Sequence, residues 1–186
     1  MSDDITRDAD ARMSRALEAL ERDLGAIRTG RAATALVERI AVDYYGTSTP
    51  LNQLASISVP EAHLIVIQPW DRSALGAIEK AILKSEVGLT PNSDGTVVRL
   101  GIPALTEERR KDLVKLVHKR MEEARVEIRN HRRDVADEIK KELRDGEISA
   151  DEERRELESL QKVTDRWTGE VDRVGKHKEQ EILEVA

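Results

Sequence analysis

The chain has 186 residues and a formal net charge of −6, and 37% of its residues are charged, against roughly a quarter in an average globular protein. It has no cysteine, and its four histidines lie far apart at His63, His118, His131 and His177. These features exclude disulfides, thiolate metal sites, a cysteine nucleophile and a helical zinc motif built on two nearby histidines. No apolar run is long enough to span a bilayer and the acidic N-terminus has no signal-peptide core, so we expect a soluble, cytoplasmic protein without a membrane partner.

Residues 1–28 have the pattern of an amphipathic helix. They contain no proline and a single glycine. Their apolar residues recur at intervals of three and four, which places them on one face of a helix. These residues are Met13, Ala16, Leu17, Leu20, Leu24 and Ile27.

Residues 30–104 differ in composition from the segments on either side, because they contain all five prolines and six of the ten glycines. Three runs, at 39–44, 64–67 and 96–100, are rich in β-branched or alternating apolar residues and predict strands. Between the last two runs we predict one short helix, with Ser73 as its N-cap and an apolar face that includes Ile78 and Ile82. Residues 92–95 predict a turn before the last strand. This segment is therefore a small α/β module.

After Pro103 the pattern is helical to the end of the chain. Thr106 is a candidate N-cap, and no proline or glycine follows until Gly146. Ser149 and Glu152 have the spacing of a capping box, which predicts the start of another helix. The apolar positions of that helix are Leu157, Leu160, Thr164, Trp167, Val171 and Val174.

A long amphipathic helix needs partners to cover its apolar face, and the first and last helices are the available ones. We therefore predict an α+β protein with an elongated three-helix bundle formed by residues 1–29 and 106–186. An inserted β/α/β domain, residues 30–105, interrupts the bundle. Two short connecting segments would then form a hinge. One contains Thr29 and Gly30, and the other contains Pro103, Ala104 and Leu105.

On the central long helix, the basic residues are grouped on one side. Residues 109–133 contain 10 basic and 4 acidic residues, a net charge of +6 within an acidic chain. On a helical projection the apolar residues from Leu113 to Ile139 share one face, and a basic stripe occupies an adjacent arc of about 100°. The stripe consists of Lys111, Lys115, His118, Arg125, Arg129, Arg132, Arg133 and Lys140, with one acid, Glu122, among them.

Like charges four residues apart on a helix are destabilising, so a merely solvated helix has no reason to concentrate them. A polyanion gives such a reason, because guanidinium groups bind phosphate bidentately. The stripe is rich in arginine and nearly free of aromatic residues, which favours a structured RNA backbone over stacked single-stranded bases. The alternative is a helical-bundle interaction module that binds an acidic protein partner. No phosphate-binding loop or catalytic constellation supports an enzyme.

Five runs of this sequence resemble those of the bacterial ribosome recycling factor family, in the same order and over essentially the whole chain. They are R-T-G-R-A at 28–32, Y-Y-G-T-S-T-P-L at 44–51, I-E-K-A-I at 78–82, L-T-E-E-R-R-K at 105–111 and R-N-H-R-R-D at 129–134. Two positions depart from the family pattern, because Thr34 and Ala104 stand where prolines are common. Since proline restricts the backbone, the connections would be less restricted here than is usual in the family.

The resemblance implies an L-shaped, hinged molecule that binds the large ribosomal subunit after termination. With elongation factor G and GTP hydrolysis, such a factor splits the ribosome into subunits. We accordingly expect a monomeric translation factor with no enzymatic activity, no cofactor and no metal. The residues expected to bind ribosomal RNA are Arg28, Arg31, Arg110, Lys111, Lys115, Arg125, Arg129, Arg132 and Arg133.

Overall fold

The computed structural model describes residues 2–184 and divides the chain into two compact units. One unit extends to Arg28 and continues with Glu107–Glu184, and the other comprises Thr29–Thr106. The first consists of long helices and the second contains a small sheet, so the predicted α+β class is confirmed. Among residues 2–184, no helix combines the length and the apolar character needed to cross a membrane.

Three helices form the first unit: α1 (Ser2–Gly25), α3 (Glu107–Arg144) and α4 (Ala150–Glu184). The buried residues of α3 are the apolar face predicted from the sequence, namely Leu113, Val117, Met121, Ala124, Ile128, Val135 and Ile139. They pack with the buried faces of α1 and α4, which contribute residues such as Met13, Leu20, Leu160 and Ile182. Burial of each large side chain contributes about 1.5–3 kcal/mol, so this shared core fixes how each helix is rotated about its axis.

The start of α4 is held by the predicted capping box. The backbone N–H of Glu152 donates to Ser149 Oγ at 3.2 Å, and the backbone N–H of Ser149 donates to Glu152 Oε2 at 2.7 Å. The bond from the Ser149 N–H lowers the pKa of Glu152, because it favours the ionised carboxylate. Trp167, predicted in the core, is only half-buried, and its Nε1 donates to Asp10 Oδ1 on α1 at 2.9 Å.

The second unit contains six strands and helix α2 (Leu75–Lys84). β1 (Ala41–Tyr44) and β2 (Thr47–Pro50) form an antiparallel hairpin. β3 (Ala55–Glu61), β4 (Leu64–Pro69), β5 (Pro91–Ser93) and β6 (Val98–Gly101) form an antiparallel sheet in the order β3-β4-β6-β5. Its core includes Ile65 and Ile67 of β4, Ile78 and Ile82 of α2, and Leu100 of β6.

The structure corrects several details of this unit. The sequence pattern did not predict β2, β3 or β5, and Asn92 and Ser93 belong to a strand instead of a turn. The cap before α2 is also different. Asp71, not Ser73, is the capping residue of the 3₁₀ turn that precedes α2, because Asp71 Oδ1 accepts a bond from the backbone N–H of Ser73.

The two ends of this unit are both fastened to the turn between β3 and β4. Nδ1 of His63 donates to the carbonyl of Gly30 at 2.9 Å, and the backbone N–H of Ile102 donates to the carbonyl of His63 at 2.8 Å. Gly30 has a φ of +73°, and a Cβ there would lie 3.1 Å from Leu105 Cγ. Glycine is therefore required at this position both for its backbone angle and for the close approach of Leu105.

The β1–β2 hairpin is closed by Tyr45 and Gly46, with φ values of 50° and 79°. A two-residue turn with both residues in the left-handed region matches the twist of the strands, but it is costly for residues other than glycine, asparagine and aspartate. Gly46→Ala should therefore destabilise the hairpin by about 1 kcal/mol, measured as faster amide hydrogen exchange in β1 and β2.

Gly76 in α2 is the matched control, because it is exposed, has no positive φ, and a Cβ added there would meet nothing within 4 Å. Gly76→Ala should slow exchange in α2, since alanine is favoured over glycine in a helix by about 1 kcal/mol. Equal effects of the two substitutions would contradict the role given to the Gly46 backbone.

Candidate nucleic-acid interface

The basic stripe of α3 consists of two rows that make different contacts. An inner row, His118, Arg125 and Arg132, recurs every seven residues and forms hydrogen bonds with side chains of α4. An outer row of exposed cations lies beside it and consists of Lys111, Lys115, Arg129, Arg133 and Lys140. Arg125 is half-buried, whereas His118, Arg132 and the whole outer row are exposed, so the two rows differ chiefly in whether they contact side chains of α4.

Two members of the inner row are paired with carboxylates of α4. Nη2 of Arg125 donates to Asp172 Oδ1 at 2.5 Å, and this hydrogen bond raises the pKa of Arg125. Nε2 of His118 lies 3.1 Å from Glu179 Oε2. The Arg125 side chain is 28% exposed, against 60% for Arg129. Arg125 was predicted to bind RNA, and the structure places its guanidinium in the seam between α3 and α4.

Arg132 has a different kind of partner on α4. Its Nη1 donates to the amide oxygen of Gln161 at 3.0 Å. The Nε2 of Gln161 donates in turn to Asp165 Oδ1 at 2.8 Å. The partner of Arg132 is thus neutral, whereas the partner of Arg125 is a carboxylate.

The outer row makes only exposed contacts along α3. Nη2 of Arg129 donates to Glu122 Oε1 at 2.7 Å, and this bond is the main reason that the pKa of Glu122 is lowered. Lys111 pairs with Glu107 at 3.0 Å, and Nε of Arg133 lies 4.0 Å from Asp134. Exposed pairs of this kind are worth about 0–1 kcal/mol, so a phosphate can replace the carboxylate at little cost.

The remaining predicted RNA-binding residues lie elsewhere. Arg110 is half-buried in the first turn of α3, whereas Arg28 and Arg31 are exposed in different units. Arg28 lines a cleft of about 450 Å³ in the bundle unit together with Arg109 and Arg120. The remaining lining residues are Asp23, Ala26, Ile27, Leu113 and Leu116.

Of the predicted hinge residues, Thr29 is buried, Gly30 and Leu105 are half-buried, and Pro103 and Ala104 are exposed. Their role as a hinge stays a prediction. Within residues 2–184, no three histidine or acidic side chains are placed to hold a metal ion together.

Sequence reasoning missed the residues of α4 that face the stripe. The signal was present, because Asp165, Asp172 and Glu179 recur every seven residues, as do His118, Arg125 and Arg132. Two antiparallel helices with matching seven-residue repeats are expected to align such side chains across their seam. The projection of α3 alone could not reveal this, since it contains no information about the neighbouring helix.

Comparison with known proteins adds an independent finding. A family model described as Ribosome recycling factor matches residues 20–183. The chain belongs to the ribosome recycling factor family. The ribosome-recycling factors of Halalkalibacterium halodurans and Bacillus subtilis are 55% and 51% identical to it over 185 residues, with 100% of both chains covered in each case. The resemblance inferred from the five sequence runs is thereby confirmed.

Solved structures of this family are also similar. A solution structure of the ribosome recycling factor matches with a TM-score of 0.72 and 48% identity, covering 99% of this chain and 98% of that one. A second match has a TM-score of 0.60 and 44% identity, covering 98% of this chain and 99% of that one. It comes from models of the T. thermophilus ribosome recycling factor and the E. coli elongation factor G bound to the E. coli post-termination complex.

The different contacts of Arg125 and Arg129 predict different effects on stability. Arg125→Ala should lower the free energy of unfolding of the bundle by about 1 kcal/mol more than Arg129→Ala, because it removes a partly buried bond between helices. Urea unfolding followed by the fluorescence of Trp167, with Trp70 replaced by phenylalanine throughout, measures this difference.

Asp172→Asn is the partner control and should cause a similar loss. In the double variant the two losses should not add, since both remove one interaction. Equal destabilisation by Arg125→Ala and Arg129→Ala would show that the bond to Asp172 does not support the bundle.

Proposed function

We propose that this protein is a translation factor that binds the post-termination ribosome. With elongation factor G and GTP hydrolysis, it splits the ribosome into subunits for a new round of initiation. Membership of the ribosome recycling factor family supports this proposal. So does the similarity to a family member represented together with elongation factor G on a post-termination complex.

The observation that carries the RNA-binding part of the proposal is the segregation of charge on α3. Arginine and lysine occupy the exposed side of the helix next to α4, and their intrahelical partners are surface carboxylates. Ribosomal RNA would be recognised through its backbone and shape, because guanidinium forks bind phosphate and the stripe has no aromatic platform for bases. The large subunit is the proposed binding partner.

The mechanism that we propose is mechanical. The bundle anchors the protein on ribosomal RNA, while the Thr29–Thr106 unit receives the push from elongation factor G and rotates about residues 28–31 and 103–106. Because the hydrolysis of GTP belongs to elongation factor G, the proposed role needs no enzymatic activity of the protein's own. We propose that it acts as a monomer in the cytoplasm.

The Arg129→Ala/Arg132→Ala double variant tests the RNA-binding surface. We expect it to bind purified large subunits at least tenfold more weakly, since each lost phosphate contact costs about 1 kcal/mol or more. The slope of log affinity against log salt should fall by about two, one for each contact. GTP-dependent subunit splitting with elongation factor G should fall with the loss of binding.

Arg154→Ala/Arg155→Ala is the matched control, because both residues are exposed on α4 and the same charge is removed. It should keep the affinity and salt slope of the unaltered protein. If both double variants behave alike, the RNA surface is wrongly assigned. If the folded, unaltered protein shows no GTP-dependent splitting with a matched elongation factor G, the proposed function is wrong.

A further inference from the structure

Along the seam between α3 and α4, the kind of side chain that faces the inner row changes at Arg132. Towards the start of α3, the seam brings His118 and Arg125 of the inner row against the carboxylates of Glu179 and Asp172. At Arg132 the hydrogen-bond partner is the amide of Gln161. The charge of Arg125 is therefore compensated by the carboxylate that it contacts, whereas Arg132 contacts a neutral amide.

The antiparallel register makes this change unexpected. A step of seven residues along α3, from His118 to Arg125, matches a step of seven along α4, from Glu179 to Asp172. The next step leads to Arg132 on α3 and to Asp165 on α4, so an ion pair between these two is the regular continuation of the seam. Gln161, one turn away from Asp165, is the residue that Arg132 contacts instead.

The amide of Gln161 is well suited to separate the two charges. Its Nε2 donates to Asp165 Oδ1, which leaves its oxygen to accept the bond from Arg132 Nη1. The carboxylate of Asp165 thereby gains a partner other than the guanidinium. A guanidinium has several N–H donors, so one bond to Gln161 holds Arg132 in place and leaves an edge of the group for a bidentate contact.

A groove opens beside this contact. It has a volume of about 370 Å³ and lies between α3 and α4. Three cations line it, Arg132, Arg133 and Lys140, against a single acid, Asp137. Its other lining residues are Ala136, Leu157, Leu160 and Gln161. The groove beside Arg125 differs, since Glu122, Asp172 and Glu179 all line it.

Under the proposed function, Arg132 and Arg133 belong to the RNA-binding surface, so a phosphate of the RNA backbone would approach the groove that they line. We propose that Gln161 is a positioning residue, which keeps Arg132 available to that phosphate by standing between its guanidinium and Asp165. The inference rests on the proposed function and deepens it, because it assigns a role on the RNA-binding surface to a residue of α4.

The test is the binding of full-length variants to purified large ribosomal subunits over a series of salt concentrations. Gln161→Ala removes the spacer and lets Asp165 pair with Arg132. We expect its affinity to fall by up to about fivefold, because an exposed carboxylate competes with the phosphate for Arg132, and its salt slope to fall by up to about one, although no charge has been removed. Gln161→Ala/Asp165→Asn removes the competing carboxylate as well and should bind within about twofold of the unaltered protein.

Thermal melting separates this role from a structural one. Gln161→Ala should melt no lower than the unaltered protein, because an ion pair replaces the lost amide contacts. Gln161→Glu is a second variant that places a carboxylate against Arg132 without changing the size of the side chain, and it should weaken binding in the same way.

Unchanged affinity of both Gln161 variants, while Arg129→Ala/Arg132→Ala binds weakly, would overturn the role of Gln161 and leave the proposed function intact. If Gln161→Ala binds weakly and the added Asp165→Asn substitution does not restore its affinity, the role of Gln161 is also overturned. If Arg129→Ala/Arg132→Ala itself binds normally, it is the RNA surface of the proposed function that fails.

Discussion

The burial of one apolar face of α3 between α1 and α4 is the constraint on which the arrangement of charge depends. Seven buried residues from Leu113 to Ile139 fix the rotation of α3 about its axis. At about 1.5–3 kcal/mol for each large side chain, this burial outweighs any single surface ion pair, which is worth about 1 kcal/mol or less. The positions of the cations follow from it. The cations next to the apolar face contact side chains of α4, and those further round the helix contact only solvent or acidic side chains of α3 itself.

This geometry explains how an acidic chain can present a basic surface. α4 carries much of the negative charge, and part of it is used within the seam, where Asp172 and Glu179 pair with Arg125 and His118. The net charge of −6 therefore says little about what a ligand meets. At Arg132 the partner on α4 is the neutral amide of Gln161 instead of a carboxylate, and the groove there is lined by Arg132, Arg133 and Lys140.

The sequence predicted the features that depend on long periodic patterns. All seven buried residues of α3 and both bonds of the capping box at Ser149 were correctly predicted, because each follows from spacing within one helix. The strands β2, β3 and β5 were missed, since three or four residues carry too little periodicity and the longer β3 is mostly exposed. The cap at Asp71 was missed because a cap depends on the local path of the chain. The contacts of Arg125 and Arg132 could not be derived from α3 alone, because the register of α4 decides which side chain each one meets.

The central claim is that the exposed cations of α3, and not the charge of the chain as a whole, face the ribosomal RNA. Lysine acylation of the unaltered protein, followed residue by residue by mass spectrometry, tests this most directly. On binding purified large subunits, Lys115 and Lys140 should be acylated much more slowly, whereas Lys162, exposed on α4, should react at its original rate. Unchanged rates at Lys115 and Lys140 in the bound protein, or equal protection of Lys162, would contradict the account.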